Sequence, residues 1–144
     1  MIEKMKDRGA DCLVFSGGEP TDHFGLEELI SHAKNAGFAR ASIFSNGRRL
    51  KDRNYAGSLK TAGLDSALVS LHGPDSRIHD SVVGATGAFE ETLRGIENLL
   101  DLGVEVLLNT VVSRINFQRL EEQVDFITSR FSGRVRLQLS DLFP

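Results

Sequence analysis

Four short strings in this 144-residue sequence carry polar groups suited to holding a ligand. The first is Ser16-Gly17-Gly18-Glu19-Pro20-Thr21. Adjacent glycines let a ligand approach the main chain closely and leave its polar groups free to bond it. Pro20 fixes the chain as it leaves that loop. The same string also reads as a tight turn in which Glu19 caps local amides. Ser45-Asn46-Gly47, Val69-Ser70-Leu71-His72-Gly73 and Leu108-Asn109-Thr110 follow, each contributing a hydroxyl or an amide. A zwitterionic, hydroxyl-rich ligand needs such paired donors and acceptors once it leaves water.

Other chemistries fit less well. Val14-Phe15-Ser16-Gly17-Gly18 lacks the glycine two residues ahead of the serine that a nucleophile elbow requires. No Gly-Lys-Ser/Thr follows a glycine-rich stretch, so a phosphate-binding P-loop is absent. His23 and His32 have no second ligand at zinc spacing. His79 beside Asp80 is expected to organise the loop that follows. His72 has two readings, a loop-anchoring hydrogen bond or a contact to a substrate. Cys12 is the single cysteine, which excludes an internal disulfide and a multi-thiolate metal site, and no metal ligands are assigned. It opens the apolar run Cys12-Leu13-Val14-Phe15 and reads as a buried structural thiol.

The elements that position these groups repeat as helix, glycine, strand, loop. Gly9, Gly37, Gly63, Gly103 and Gly133 each close a helix-like stretch, where a left-handed residue is often needed. The strand candidates are Asp11 to Ser16, Arg40 to Ser45, Ser66 to His72, Val104 to Thr110 and Arg134 to Leu139. Runs such as Leu13-Val14-Phe15 and Val106-Leu107-Leu108 suit strands covered on both faces of a parallel sheet. Helical stripes run through Leu26, Leu29, Ile30 and Ala33, then Phe89, Leu93, Ile96 and Leu100, then Leu120, Val124 and Ile127. Strand alternation puts Ser70 and His72 on one face, so both could look into one pocket. Ile2 and Met5 place Met1 inside a helix without a capping residue, which reads as a cut.

This pattern predicts an α/β chain of about five βα units with parallel strands, too few for a closed eight-unit barrel of about 250 residues. A doubly wound open sheet and a partial barrel both fit. Either one collects ligands at the carboxyl ends of its strands, where the four polar strings fall. A net charge of −3 without a basic stripe gives no field for nucleic acid. No apolar run is long enough to cross a bilayer, and Met1 to Gly9 lacks the apolar stretch of a signal peptide, so cytoplasmic residence is expected.

Gly17-Gly18-Glu19-Pro20 resembles the motif by which radical SAM enzymes hold the amino group of S-adenosylmethionine. Ser45-Asn46-Gly47 is similar to the family's next strand end, near the methionyl and ribose parts. Ser70 resembles a contact to the cofactor's carboxylate or ribose, and Asn109 resembles the residue that bonds ribose. His79-Asp80 through Gly87-Ala88-Phe89 to Gly95-Ile96-Glu97-Asn98-Leu99 also has the family's look. The resemblance covers nearly the whole chain. It implies a single core domain over residues 1–144, strands two to six of a six-unit partial barrel. It also implies Gly17, Gly18, Glu19, Pro20, Ser45, Asn46, Ser70 and Asn109 as cofactor-binding residues, with His72 as a substrate-side candidate.

The cofactors implied are S-adenosylmethionine and a [4Fe–4S] cluster, together cleaving the sulfonium to a 5′-deoxyadenosyl radical that abstracts a substrate hydrogen. The partners implied are an electron donor and a small-molecule or peptide substrate. The family's Cys-x3-Cys-x2-Cys loop is not among these residues, so the chain alone is expected to be inactive. A non-catalytic partner or binding protein that retains the barrel is the alternative.

Overall fold

The computed structural model describes residues 1–141. In chain order the elements are α1 (Ile2–Asp7), β1 (Cys12–Phe15), α2 (Leu26–Asn35), β2 (Arg40–Ser45), α3 (Arg53–Ala62) and β3 (Ser66–Ser70). There follow α4 (Ser76–Val83), α5 (Ala88–Asp101), β4 (Glu105–Val112), α6 (Leu120–Phe131) and β5 (Val135–Asp141). The five strands form one parallel sheet in the order β1-β2-β3-β4-β5, and the sheet does not close. This is the expected α/β partial-barrel architecture.

Local chemistry sets the helix ends. The Asp52 carboxylate accepts from the amides of Asn54 and Tyr55 to start α3, and Asp75 accepts from Ile78 at 2.9 Å to start α4. Gly63 and Gly84 close those helices in the left-handed conformation.

Ala41, Ile43, Ala67, Val69, Val106 and Leu108 alternate along three strands and share one core with Leu26, Ile30, Leu59, Ile96 and Leu99 from the helices. Among the described residues no helix covers the other face of the sheet. Val14 and Phe44 there are 41% and 47% exposed, so the expectation of cover on both faces does not hold. Cys12 is likewise exposed, not buried. It begins β1, which among the described residues pairs with β2 on one side only.

The helix stripes need adjustment too. Leu29 and Val124 are more than a third exposed, whereas Ile127 is buried as expected and α6 adds Gln123 and Phe131 to its inward side. Gln123 takes that place because its amide nitrogen bonds Leu71 O at 2.6 Å and Thr110 Oγ1 at 2.7 Å.

Candidate functional site

Parallel pairing brings the carboxyl ends of the strands to one rim, with Ser45 opposite Val69 and Ser70 opposite Asn109. At the end of β1, Gly17 and Gly18 have φ of +99° and +54°. Open space lies where their side chains would be, so the glycines are needed for backbone conformation, not for room. Both are exposed, leaving main-chain groups accessible.

Glu19 is already well occupied. Its Oε1 accepts from Thr21 N at 3.1 Å, Thr21 Oγ1 at 2.7 Å and Ser45 Oγ at 2.8 Å, while Oε2 accepts from Asn46 N at 2.7 Å. The carboxylate thereby ties the loop after β1 to the loop after β2. Pro20 opens a short 3₁₀ turn under the same capping interaction. Ser45 also accepts from Gly47 N at 2.9 Å, and Asn46 Oδ1 accepts from Arg48 N at 2.9 Å. Asn109 Oδ1 accepts from Ser140 Oγ at 2.8 Å, which orients its amide nitrogen.

Two histidines lock the exit of β3. His79 Nδ1 accepts from His72 N at 3.0 Å, and His72 Nδ1 accepts from Val111 N at 3.2 Å. Each ring is therefore neutral with its proton on Nε2. The rings stack with centroids 5.8 Å apart. Burial, reinforced by the His72 ring, pushes the His79 pKa down to about 4, and burial lowers that of His72. Asp80 accepts from Gly87 N at 2.7 Å and Phe89 N at 2.8 Å, so it organises the turn between α4 and α5.

Ser70 and Asn46 line a cavity of about 120 Å3 together with Arg48, His79, Val83 and Thr92. The partner of Ser70 in that cavity is His79; His72 is not among the lining residues. Sequence reasoning missed Arg48, which lies one turn residue beyond Asn46-Gly47. It also missed Asn116, which is fully buried and ties His72 O, Val111 O and Ser113 together.

Five parallel βα units with polar groups gathered at the strand carboxyl ends define an α/β protein of the class that commonly binds ligands on that rim. The radical SAM superfamily model matches residues 1–127, and the chain belongs to that family. It is 34% identical over 122 residues to the AdoMet-dependent heme synthase of Nitratidesulfovibrio vulgaris, covering 85% of this chain and 33% of that protein. It is 36% identical over 137 residues to the "Probable GTP 3′,8-cyclase" of Sulfolobus acidocaldarius, covering 94% and 42%.

The chain thus spans a third to less than half of these curated relatives. Native anSMEcpe with bound AdoMet has the same fold, with a TM-score of 0.79 and 19% identity over 99% of this chain and 41% of that one. Streptococcus suis SuiB bound to its precursor peptide SuiA gives 0.77 and 19%, over 96% and 31%.

The family uses S-adenosylmethionine and a [4Fe–4S] cluster. The rim fits the first: accessible backbone at Gly17 and Gly18 and donors at Ser70 and Asn109 match an amino acid joined to a nucleoside. It does not fit the second. Among the described residues no three His, Cys, Asp or Glu side chains converge, and one cysteine cannot supply the thiolates a cluster needs.

Proposed function

We propose that this chain is the S-adenosylmethionine-holding core of a radical SAM enzyme, with residues 1–144 as one domain. The cluster thiolates then come from polypeptide outside these residues, and the chain alone is inactive. When bound, S-adenosylmethionine supplies the radical chemistry, and these residues hold and orient it.

In this reading the main chain of Gly17 and Gly18 meets the methionyl amine, with Glu19 and Pro20 fixing the loop that presents it. Ser45 and Asn46 shape the adjoining strand end, Ser70 meets the carboxylate or ribose, and Asn109 bonds ribose. His72, neutral and anchored through Nδ1, stands on the substrate side. A cytoplasmic location, an electron donor, and a small-molecule or peptide substrate belong to the same proposal.

The observation that carries this reading is the gathering of four polar strand ends at one rim, two of them tied by Glu19. Calorimetry tests it. S-Adenosylmethionine is expected to bind, and ATP and NAD to bind more weakly or not at all. Preference for ATP or NAD would mark a general nucleotide-binding sheet instead. A protein extended to include three cluster cysteines is expected to release 5′-deoxyadenosine under anaerobic reduction; a folded, cluster-loaded version that does not would favour the non-catalytic alternative.

A further inference from the structure

Along β2, β3 and β4 the residues packed on the helices alternate with residues that face the other way. Parallel register sorts this second set into rows. Ser70, Asn109 and Gln138 form the row nearest the rim. Phe44, Leu68, Leu107 and Arg136 form the next. Ser42, Ser66 and Glu105 lie below, where the two serine hydroxyls bond each other at 2.6 Å. Four residues along β4, or roughly 13 Å, separate the Asn109 row from the Glu105 row.

The foot of this face carries charge. One carboxylate oxygen of Glu105 accepts from Arg40 of β2 and the other from Arg136 of β5, so the cluster reaches across β3. Each guanidinium gives one amino group to Glu105, and the rest of each fork has no partner among the described residues. The Arg136 side chain is 70% exposed. Asp65, also near Arg40, already accepts from Lys34 Nζ at 3.0 Å and Ala41 N at 2.8 Å. Arg40, Arg136 and Lys34 set against Glu105 and Asp65 leave one positive charge over. Exposed ion pairs add little to stability, so folding alone gives this cluster little reason to exist. An apolar row with amides and hydroxyls above it and a surplus cation below matches a molecule with an apolar body and an anionic end.

We propose that this face is the substrate-side surface of the chain, and that it selects an apolar molecule ending in a carboxylate or phosphate. The apolar body lies on Phe44, Leu68 and Leu107, and the anion meets Arg136 and Arg40. Arg136 is thereby a specificity-determining residue. The assignment rests on the proposed function, in which the cofactor is held at the rim above, and it names a class of substrate for that site.

The test follows the amide NMR signals of the chain during titration with octanoate, octyl phosphate and octanol, each below its micelle concentration. Octanoate or octyl phosphate is expected to shift Phe44, Leu68, Leu107 and Arg136, and the tighter of the two identifies the anion. Octanol should bind more weakly. Arg136→Gln is expected to weaken anion binding roughly 5- to 10-fold and to leave octanol unchanged. Arg136→Lys should restore part of the loss. Both variants are expected to fold, because the side chain is exposed, and a thermal melt checks that. Equal binding of octanol and the anions, or no loss in Arg136→Gln, overturns the proposal. Shifts of the same amides with protein concentration alone would assign the face to a second copy of the chain and overturn it too. S-Adenosylmethionine is titrated separately. If it binds and neither anion does, the proposal falls and the proposed function stands. If it does not bind, the proposed function falls, and the face loses its standing as a substrate surface.

Discussion

At the scale of single residues, Glu19 joins two loops through four hydrogen bonds from three residues. Charge-assisted bonds of this kind contribute about 1.5–3 kcal/mol each at most, and they share one carboxylate here. Glu19→Ala is therefore expected to destabilise the chain by about 2 kcal/mol in urea unfolding, while Glu19→Gln, which keeps one acceptor oxygen, should lose less. Equal stability of Glu19→Ala and the unmodified chain would show that the tie contributes nothing.

His79 predicts a pH dependence. Its folded pKa of about 4 lies below the ordinary 6.5, so between those values the unfolded chain binds more protons. Stability is then full above about pH 6.5 and falls as the pH drops toward 4, by about 3 kcal/mol in total. His72, lowered in the same direction, adds to the slope. His79→Asn keeps an acceptor for the His72 amide and should flatten the decline between pH 6.5 and 5.

Some of this was readable from residue types alone. Gly17-Gly18 and Pro20 stand out because glycine and proline restrict backbone geometry wherever they occur. Arg48 does not, because an arginine in a loop normally faces water. Nor do Asn116 and Gln123, whose partners are main-chain oxygens of His72 and Leu71, 44 and 52 positions away.

Among the elements, α5 holds the rim together by close approach to the loop after β2. A side chain on Gly95 would run into Gly47 O and stand 3.1 Å from Leu50 Cβ. The first of these is backbone and cannot rotate away. Gly95→Ala, normally favourable within a helix, is expected here to destabilise by about 1–3 kcal/mol in thermal or urea unfolding. A stabilised variant would mean that α5 sits farther from the loop than described.

Strand existence and order along the chain were legible because apolar runs and closing glycines recur regularly, and β2 spans Arg40–Ser45 as read. The strand ends were less so. β4 continues to Val112 because β5 pairs with it as far as Asp141, a partnership that periodicity does not encode. The error at Val124 has a similar origin: an apolar stripe identifies a helix, but a buried amide such as Gln123 can rotate which side faces inward.

For the molecule as a whole, the partial barrel was readable as a class, whereas the uncovered face was not. An apolar strand run looks the same whether helices or open space lie beyond it. The cysteine count makes a further prediction at this scale. Incubation of the chain with iron and sulfide under reducing, anaerobic conditions is expected to leave no [4Fe–4S] absorption or paramagnetic signal. A stoichiometric cluster would require ligands of another kind.

The strand sequence β1 to β5 has one more consequence. Because every strand lies beside the one made just before it, no strand has to wait for a distant late strand to find its pairing partner. Each newly emerged unit can dock on the surface left by its predecessor, so the nascent chain can assemble progressively during translation.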